Sequence, residues 1–317
     1  MVFHRDSPFL RPALASALTQ TWRDLEVVLV DNGTGLSADA LGESGRDPRL
    51  RWVRMAGNAG IPSGHNAGIA VAQGEFIALQ DYDDLSEPDR IARQVAALRA
   101  DSSVALVAGR AIRINETEHP SGQVFCLPRS EDHAIYAPYG APLVTPAIMG
   151  RRDLFRALPY RGEFPFAADL DFQARVVECA KAAVLPEVML RYRWYAAQTT
   201  QQRKREIEQS RCVLQVLAGR RRAGRPESVA EALSLIDAGS AGESWRRGAR
   251  VCIAERYAVF AAYQARRAFV CDRSATGAFV AARLAGRAIG VASRGERSLV
   301  ARMFLTGPVR ALALRPA

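Results

Sequence analysis

The chain has 317 residues, 49% of them hydrophobic and 24% charged. These values exclude a disordered or fibrous polypeptide and leave room for one large domain plus an accessory segment. The net charge of +10 sits at one end, because residues 203–317 carry 22 Arg or Lys against 9 Asp or Glu. A near-neutral first part and a basic second part imply two functional regions, the second suited to a phosphate-rich or anionic membrane surface.

In chain order, Ser7-Pro8 followed by Leu10, Leu14, Ala17 and Leu18 predicts an N-capped helix with proline in its first turn and one apolar face. Residues 26–31 (EVVLVD) are a continuous apolar run ending in acid, the pattern of a strand covered on both faces. Residues 51–55 predict a weaker strand, 63–72 a helix, and 75–81 (EFIALQD) another buried strand ending in acid. A helix over 88–99 and a strand over 104–108 follow. This alternation implies an α/β fold with a mostly parallel, Rossmann-like sheet flanked by helices. Ligands bind such sheets beyond the carboxyl ends of the strands, where Asp31 and Asp81 both stand.

Residues 116–165 are less regular and include the apolar stretch 142–149. Met149, Trp194, Tyr136, Tyr139 and Tyr160 suit either a wall on which a ligand ring stacks or ordinary packing. A helix is expected over 172–182 and a strand or hairpin over 184–194, so the α/β domain is expected to span 1–202. Residues 203–317 form a basic helical C-terminal region, with helices expected over 203–218, 228–237, 244–270 and 275–292. Arg266, Arg267, Arg283, Arg287, Arg294, Arg297 and Arg302 punctuate the last two of these and the segment after them. They fit a surface lying on an anionic membrane, or a helical subdomain with its arginines turned to water. No nucleic-acid-binding motif accompanies the charge.

Cys126, Cys179, Cys212, Cys252 and Cys271 are scattered without a C-x-x-C pair, so neither a zinc site nor a disulfide framework is indicated. No apolar run of membrane-spanning length occurs, and residues 1–7 lack the apolar stretch of a secretion signal. The expected location is the cytoplasm, with peripheral contact at the inner face of the plasma membrane.

The sharpest local signal is residues 74–84, an apolar strand delivering Asp81, Asp83 and Asp84 into a tight turn. Crowding three like charges is costly unless a cation is present, and carboxylate oxygens suit a hard divalent ion, Mg²⁺ or Mn²⁺. A solvated acidic turn has the same sequence.

Order along the chain favours the first of the two. Residues 10–21 match L-x-x-A-L-x-S-x-L-x-Q-T, and residues 31–34 (DNGT) match a strand ending in D-[DN]-G-S. Residues 58–68 match N-x-G-x-x-x-A-R-N-x-G, and 72–84 match A-x-G-E-[YF]-I-x-x-L-D-x-D-D. Residues 168–175 (ADLDFQAR) are similar to E-D-x-D-L-x-x-R. Taken together, from about residue 8 to 200, the chain resembles the family 2 glycosyltransferases of GT-A fold, inverting enzymes that use nucleotide-sugars.

That resemblance implies a nucleoside-diphosphate-sugar donor and a glycan or lipid-linked acceptor, in bacterial cell-surface polysaccharide or glycolipid synthesis. It places Asp31 on the nucleotide base, Asp81 on the nucleotide and Asp83 on the metal. Asn58, His65 and Asn66 belong to its nucleotide-sugar-binding motif. Asp169 takes the position of the base that receives the acceptor proton. Read alone, Asp31 equally suits a turn former at a strand end, and Asp169 a helix N-terminus decorated with acid.

Three departures stand out. The family's first strand survives only as residues 1–7; a sheet without it would leave buried backbone groups unpaired, so a start some ten residues upstream is expected. His65 replaces the family's arginine. Tyr195 replaces the histidine of Y-R-x-H, leaving Arg193 to neutralise the leaving group. A non-catalytic nucleotide-sugar or glycan binder is the competing reading. A dinucleotide oxidoreductase or P-loop enzyme is disfavoured by the lack of G-x-G-x-x-G and G-x-x-x-x-G-K-[ST].

Overall fold

The computed structural model describes residues 1–125, 137, 141–236 and 241–254, together with 283–284 and 287–288. Cys126, Cys271, Tyr136, Tyr139, most of the last expected helix and Arg266, Arg267, Arg294, Arg297 and Arg302 lie outside the described residues. The chain divides into two compact units, Met1–Gln202 and Arg203–Ala317.

The first unit opens with three parallel strands, β1 (Val2–Phe3), β2 (Val27–Asp31) and β3 (Leu50–Arg54), in the order β1-β2-β3. Helix α1 (Leu10–Leu18) buries Leu10, Leu14 and Leu18 against Phe3, Leu29 and Tyr82. It begins after Ser7, whose hydroxyl accepts the Phe9 N–H at 3.3 Å and shapes the preceding turn. Helix α2 (Ile61–Val71) follows β3, with Pro62 in its first turn, where a missing N–H costs nothing.

Strand β4 (Phe76–Ala78) leads into the acidic turn, then β5 (Leu85–Ser86), α3 (Arg90–Ala100), β6 (Val104–Ile114) and β7 (Pro120–Val124). The apolar stretch read as irregular supplies β8 (Ile148–Arg151), followed by α4 (Arg152–Ala157), α5 (Ala168–Cys179) and β9 (Lys181–Arg193). The second sheet runs β4-β8-β6-β9-β5, with β7 beside β6. Here only β6 and β9 are parallel; β4–β8, β6–β8, β5–β9 and β6–β7 are antiparallel. Strand β8 pairs on both sides despite its late place in the chain. Such a long-range pairing leaves no periodic trace in sequence.

Among the described residues a parallel bridge, Val2 to Asp81, joins the two sheets. Phe3 is in register with Asp31, so the two acids expected at strand ends flank the short β1. Below that bridge β2 and β4 are separated by a cavity of about 530 Å³ lined by Val27, Val28, Phe76 and Ala78. The Met1 amine donates to the Val28 carbonyl at 2.9 Å beside it.

In the second unit α6 (Lys204–Arg222), α7 (Val229–Ile236) and α8 (Ala241–Ala254) bury Val213, Val216, Leu217, Ala232, Ile236 and Trp245. Arg220 makes a two-pronged ion pair with Glu231, both contacts at 3.0 Å. Among the described residues no helix is long and apolar enough to cross a membrane.

Candidate active site

The acidic turn is held from below by Gln80 and Arg90. The Gln80 amide donates to the Ala13 and Asp84 carbonyls at 3.2 Å and to the Ser16 hydroxyl at 3.1 Å. Arg90 is wholly buried and donates to Gln94 Oε1, Ser86 Oγ and the carbonyls of Leu79 and Ile148. Its guanidinium brings a positive charge toward Asp84 and Asp81 from the protein interior.

On this platform one carboxylate oxygen from each of Asp81, Asp83 and Asp84 lies within 4.8 Å of the other two. Asp84 is fully buried; Oδ1 accepts the Arg193 amide N–H at 2.8 Å, and Oδ2 has no partner among the described residues. Asp83 Oδ2 accepts the Tyr195 hydroxyl at 2.7 Å. Burial, then the charges of Asp83 and Asp169, push Asp81 up to about 7. Asp84 is raised well above the ordinary range by burial, then by Asp83 and Asp81. Burial also raises Asp83, against the lowering effect of the Tyr195 hydrogen bond. Three enclosed carboxylates that resist ionisation and one orphaned oxygen suit a hard divalent cation, which would satisfy that oxygen and offset the crowded charge.

Asp169 stands in the first turn of α5, where the helix dipole favours a carboxylate. Gln173 Nε2 donates to Thr145 Oγ1 at 2.9 Å, and that hydroxyl donates to Asp169 Oδ2 at 2.9 Å. This relay fixes the carboxylate's direction, and its charge is felt at Asp81. Its neighbour Asp171 turns inward to Arg175 at 2.8 Å and Arg161 at 3.3 Å. The two acids of one motif therefore separate into a substrate-facing candidate and an internal ion pair.

The remaining expected residues fall into different places. Asp31 Oδ1 accepts both the N–H and the hydroxyl of Thr34 at 2.7 Å, and Oδ2 lies 3.5 Å from Arg54. Asn58 Oδ1 accepts from Asn32 Nδ2 at 3.2 Å and from the Gly60 N–H at 3.0 Å, tying the two loops together. Asn66 clamps the backbone of Tyr160, donating to its carbonyl at 2.8 Å and accepting its N–H at 2.9 Å. His65 stacks on the Tyr160 ring, centroids 4.9 Å apart. Burial, then the chain's terminal charge, lowers it to about 3, so it is neutral. Arg193 does not face an open cleft: it is wholly buried, and Nε, Nη1 and Nη2 reach the Asp83, Asn115 and Glu116 carbonyls and Glu118. Met149 is 2% exposed and packs with Leu98 and Val107, as core. Trp194 lies under the Arg113 guanidinium at 4.2 Å.

Arg5, Arg90 and Thr145 carry no role in the sequence reading, Tyr160 enters it only as a stacking or packing residue, and Tyr195 only as the replacement of a histidine. Arg5 donates to the hydroxyls of Tyr82 at 2.9 Å and Tyr195 at 3.2 Å, placing a half-exposed cation beside Asp83. Arg90 and Gln94 left a signal, polar residues four apart on a helix face otherwise buried through Leu98.

Asp31 and Asp81 pair with β1, the carboxylate cluster follows β4, and the charge of Asp169 acts on Asp81; solved structures share this α/β fold. The Staphylococcus aureus TarS fragment 1–349, solved with UDP-GlcNAc, has a TM-score of 0.59 at 13% identity, over 95% of this chain and 85% of that one. The Pyrobaculum calidifontis mannosyltransferase PcManGT, solved with GDP-Man and Mn²⁺, has a TM-score of 0.50 at 18% identity, over 98% and 85%. Both have the GT-A architecture. Residues 1–158 match the model of glycosyl transferase family 2, and the chain belongs to that family. The Rhizobium meliloti succinoglycan biosynthesis protein ExoO is 40% identical over 96 residues, 30% of this chain and 27% of that one. An uncharacterized glycosyltransferase of Haemophilus influenzae is 22% identical over 204 residues, 61% and 63%. The matches thus span from about a quarter to under two thirds of these relatives' lengths.

Proposed function

We propose that the first unit is an inverting glycosyltransferase that moves a sugar from a nucleoside-diphosphate sugar to an acceptor hydroxyl. The observation that carries this reading is the carboxylate triad together with a separately oriented Asp169 whose charge acts on Asp81. Asp81, Asp83 and Asp84 would hold Mg²⁺ or Mn²⁺, which screens the charge of a diphosphate leaving group. Asp169, turned by Thr145 and Gln173, takes the proton as the acceptor oxygen bonds to the anomeric carbon. The bond from that carbon to the diphosphate oxygen breaks on the opposite face, and the nucleoside diphosphate departs with the electron pair. The Asp31, Asn32 and Asn58 loops offer the nucleotide a rigid rim. Arg193 supports the triad by holding the Asp83 carbonyl and donating its amide to Asp84. Arg5 is the cation with partial exposure beside Asp83.

The succinoglycan relative and the arginine-rich second unit support assembly of a bacterial cell-surface polysaccharide or glycolipid, with the second unit near an anionic membrane. The test is a panel of UDP- and GDP-sugars with Mn²⁺, following nucleoside diphosphate release. Asp169→Asn is expected to lower turnover at least 100-fold while UDP binding persists, and the product should show the inverted anomeric configuration by NMR. Full turnover in that variant, or a retained configuration, refutes the mechanism. Donor binding without turnover in the wild type identifies a binding protein instead.

A further inference from the structure

Tyr160 is 4% exposed, yet no described residue lies within hydrogen-bonding reach of its hydroxyl. The ring is fixed from three directions. His65 stacks on one face at 4.9 Å and Phe172 lies parallel to it at 4.9 Å, itself stacked on Phe155 at 5.1 Å. Asn66 holds the Tyr160 backbone through both its amide groups. Phe172 follows Asp169 by one helical turn on α5, so the stack is anchored to the element that carries the candidate base.

A buried phenol without a partner is costly, and phenylalanine would fill the same stack with no orphaned group. Packing therefore accounts for the ring and not for its oxygen. The hydroxyl lies in the field of both Asp169 and Asp81. Burial and those two charges keep it protonated, a donor awaiting an acceptor. The groups that must meet between these two acids during transfer are carbohydrate oxygens.

We propose that the Tyr160 hydroxyl donates a hydrogen bond to a carbohydrate hydroxyl bound between Asp81 and Asp169, and so helps to position and select the sugar. This assignment rests on the transferase reading above. It gives the aromatic stack a purpose: His65 and Phe172 hold the ring and Asn66 clamps the backbone, so the donor is fixed in place. Asn66 and His65 then act on the sugar through Tyr160.

The test compares wild type with Tyr160→Phe in UDP, UDP-GlcNAc and GDP-mannose binding by calorimetry with Mn²⁺, in turnover and in thermal melting. Loss of one neutral hydrogen bond corresponds to a 3- to 10-fold effect. If the hydroxyl meets the donor sugar, nucleotide-sugar affinity falls by that factor while UDP affinity is unchanged. If it meets the acceptor, both affinities hold and the KM for acceptor rises by that factor. In either case the variant melts no lower than wild type, because an orphaned group has been removed. Unchanged binding and turnover overturn the proposal, as does an equal loss of UDP and nucleotide-sugar affinity, which marks a structural role. A wild type that binds none of these nucleotide-sugars while binding UDP overturns the transferase reading instead, and the sugar contact with it.

Discussion

Replacing Asp81 by asparagine isolates the titration of one member of the carboxylate triad. An unfolded aspartate ionises near 3.8, whereas burial and the charges of Asp83 and Asp169 place Asp81 at about 7. At about 1.4 kcal/mol per tenfold change, holding Asp81 ionised in the folded protein costs roughly 4 kcal/mol. This is an upper figure, because the side chain keeps some contact with water that screens it. The folded value lies above the unfolded one, so the associated stability is whole below about pH 4 and is lost as pH rises through 7. Asp81→Asn has no such loss. The melting temperature of the metal-free wild type, measured relative to that variant, is therefore expected to fall between pH 4 and 8, by up to about 10 °C for a unit of this size. Mn²⁺ requires ionised oxygens, so its stabilisation of the wild type should grow over the same range. Thermal melts in EDTA or Mn²⁺ across a buffer series measure both. Wild-type and variant melting temperatures that keep a constant separation from pH 4 to 8, with an Mn²⁺ shift equal at pH 5 and 8, would refute the buried-triad argument.

Two further outcomes follow from the same geometry. Tyr195→Phe removes the 2.7 Å donor to Asp83 Oδ2, and should lower stability by about 1.5 to 3 kcal/mol and Mn²⁺ affinity about tenfold. Urea unfolding and calorimetry read the two effects, and wild-type values in both would show that Tyr195 does not orient Asp83. Gly33 has φ +89°, and a Cβ there would lie 2.4 Å from the backbone nitrogen of Asn58. Gly33→Ala should cost at least about 1 to 3 kcal/mol and weaken UDP binding by displacing the Asn58 loop; a wild-type urea midpoint would contradict this.

Much of the frame was legible because it is local. The apolar run before Asp31 read as a doubly covered strand and is β2, and the run before Asp81 supplies β4, although only Phe76–Ala78 pair. The acidic turn, the Asp31 turn and the Asp169 helix each advertise themselves in a few adjacent residues. What escaped is non-local. The stretch 142–149 showed no period, yet its end becomes β8 because β4 and β6 present edges to it.

The sequence by itself determined that three groups of acids stand at the ends of apolar elements, and their order along the chain carried the family resemblance. It could not say which acid of each group turns toward solvent, toward a neighbour or toward a substrate, because that depends on partners far away in the chain. Only the tertiary structure put Tyr195 on Asp83, Arg191-to-Arg193 backbone beside the acidic turn, and Thr145 on Asp169. It turned Arg193 from an expected leaving-group cation into a buried strut, while Arg5, from the short remnant of the first strand, reached the site instead. The physical reason is that a charged group's role is set by burial and by its hydrogen-bonding partners, and both are properties of the folded chain.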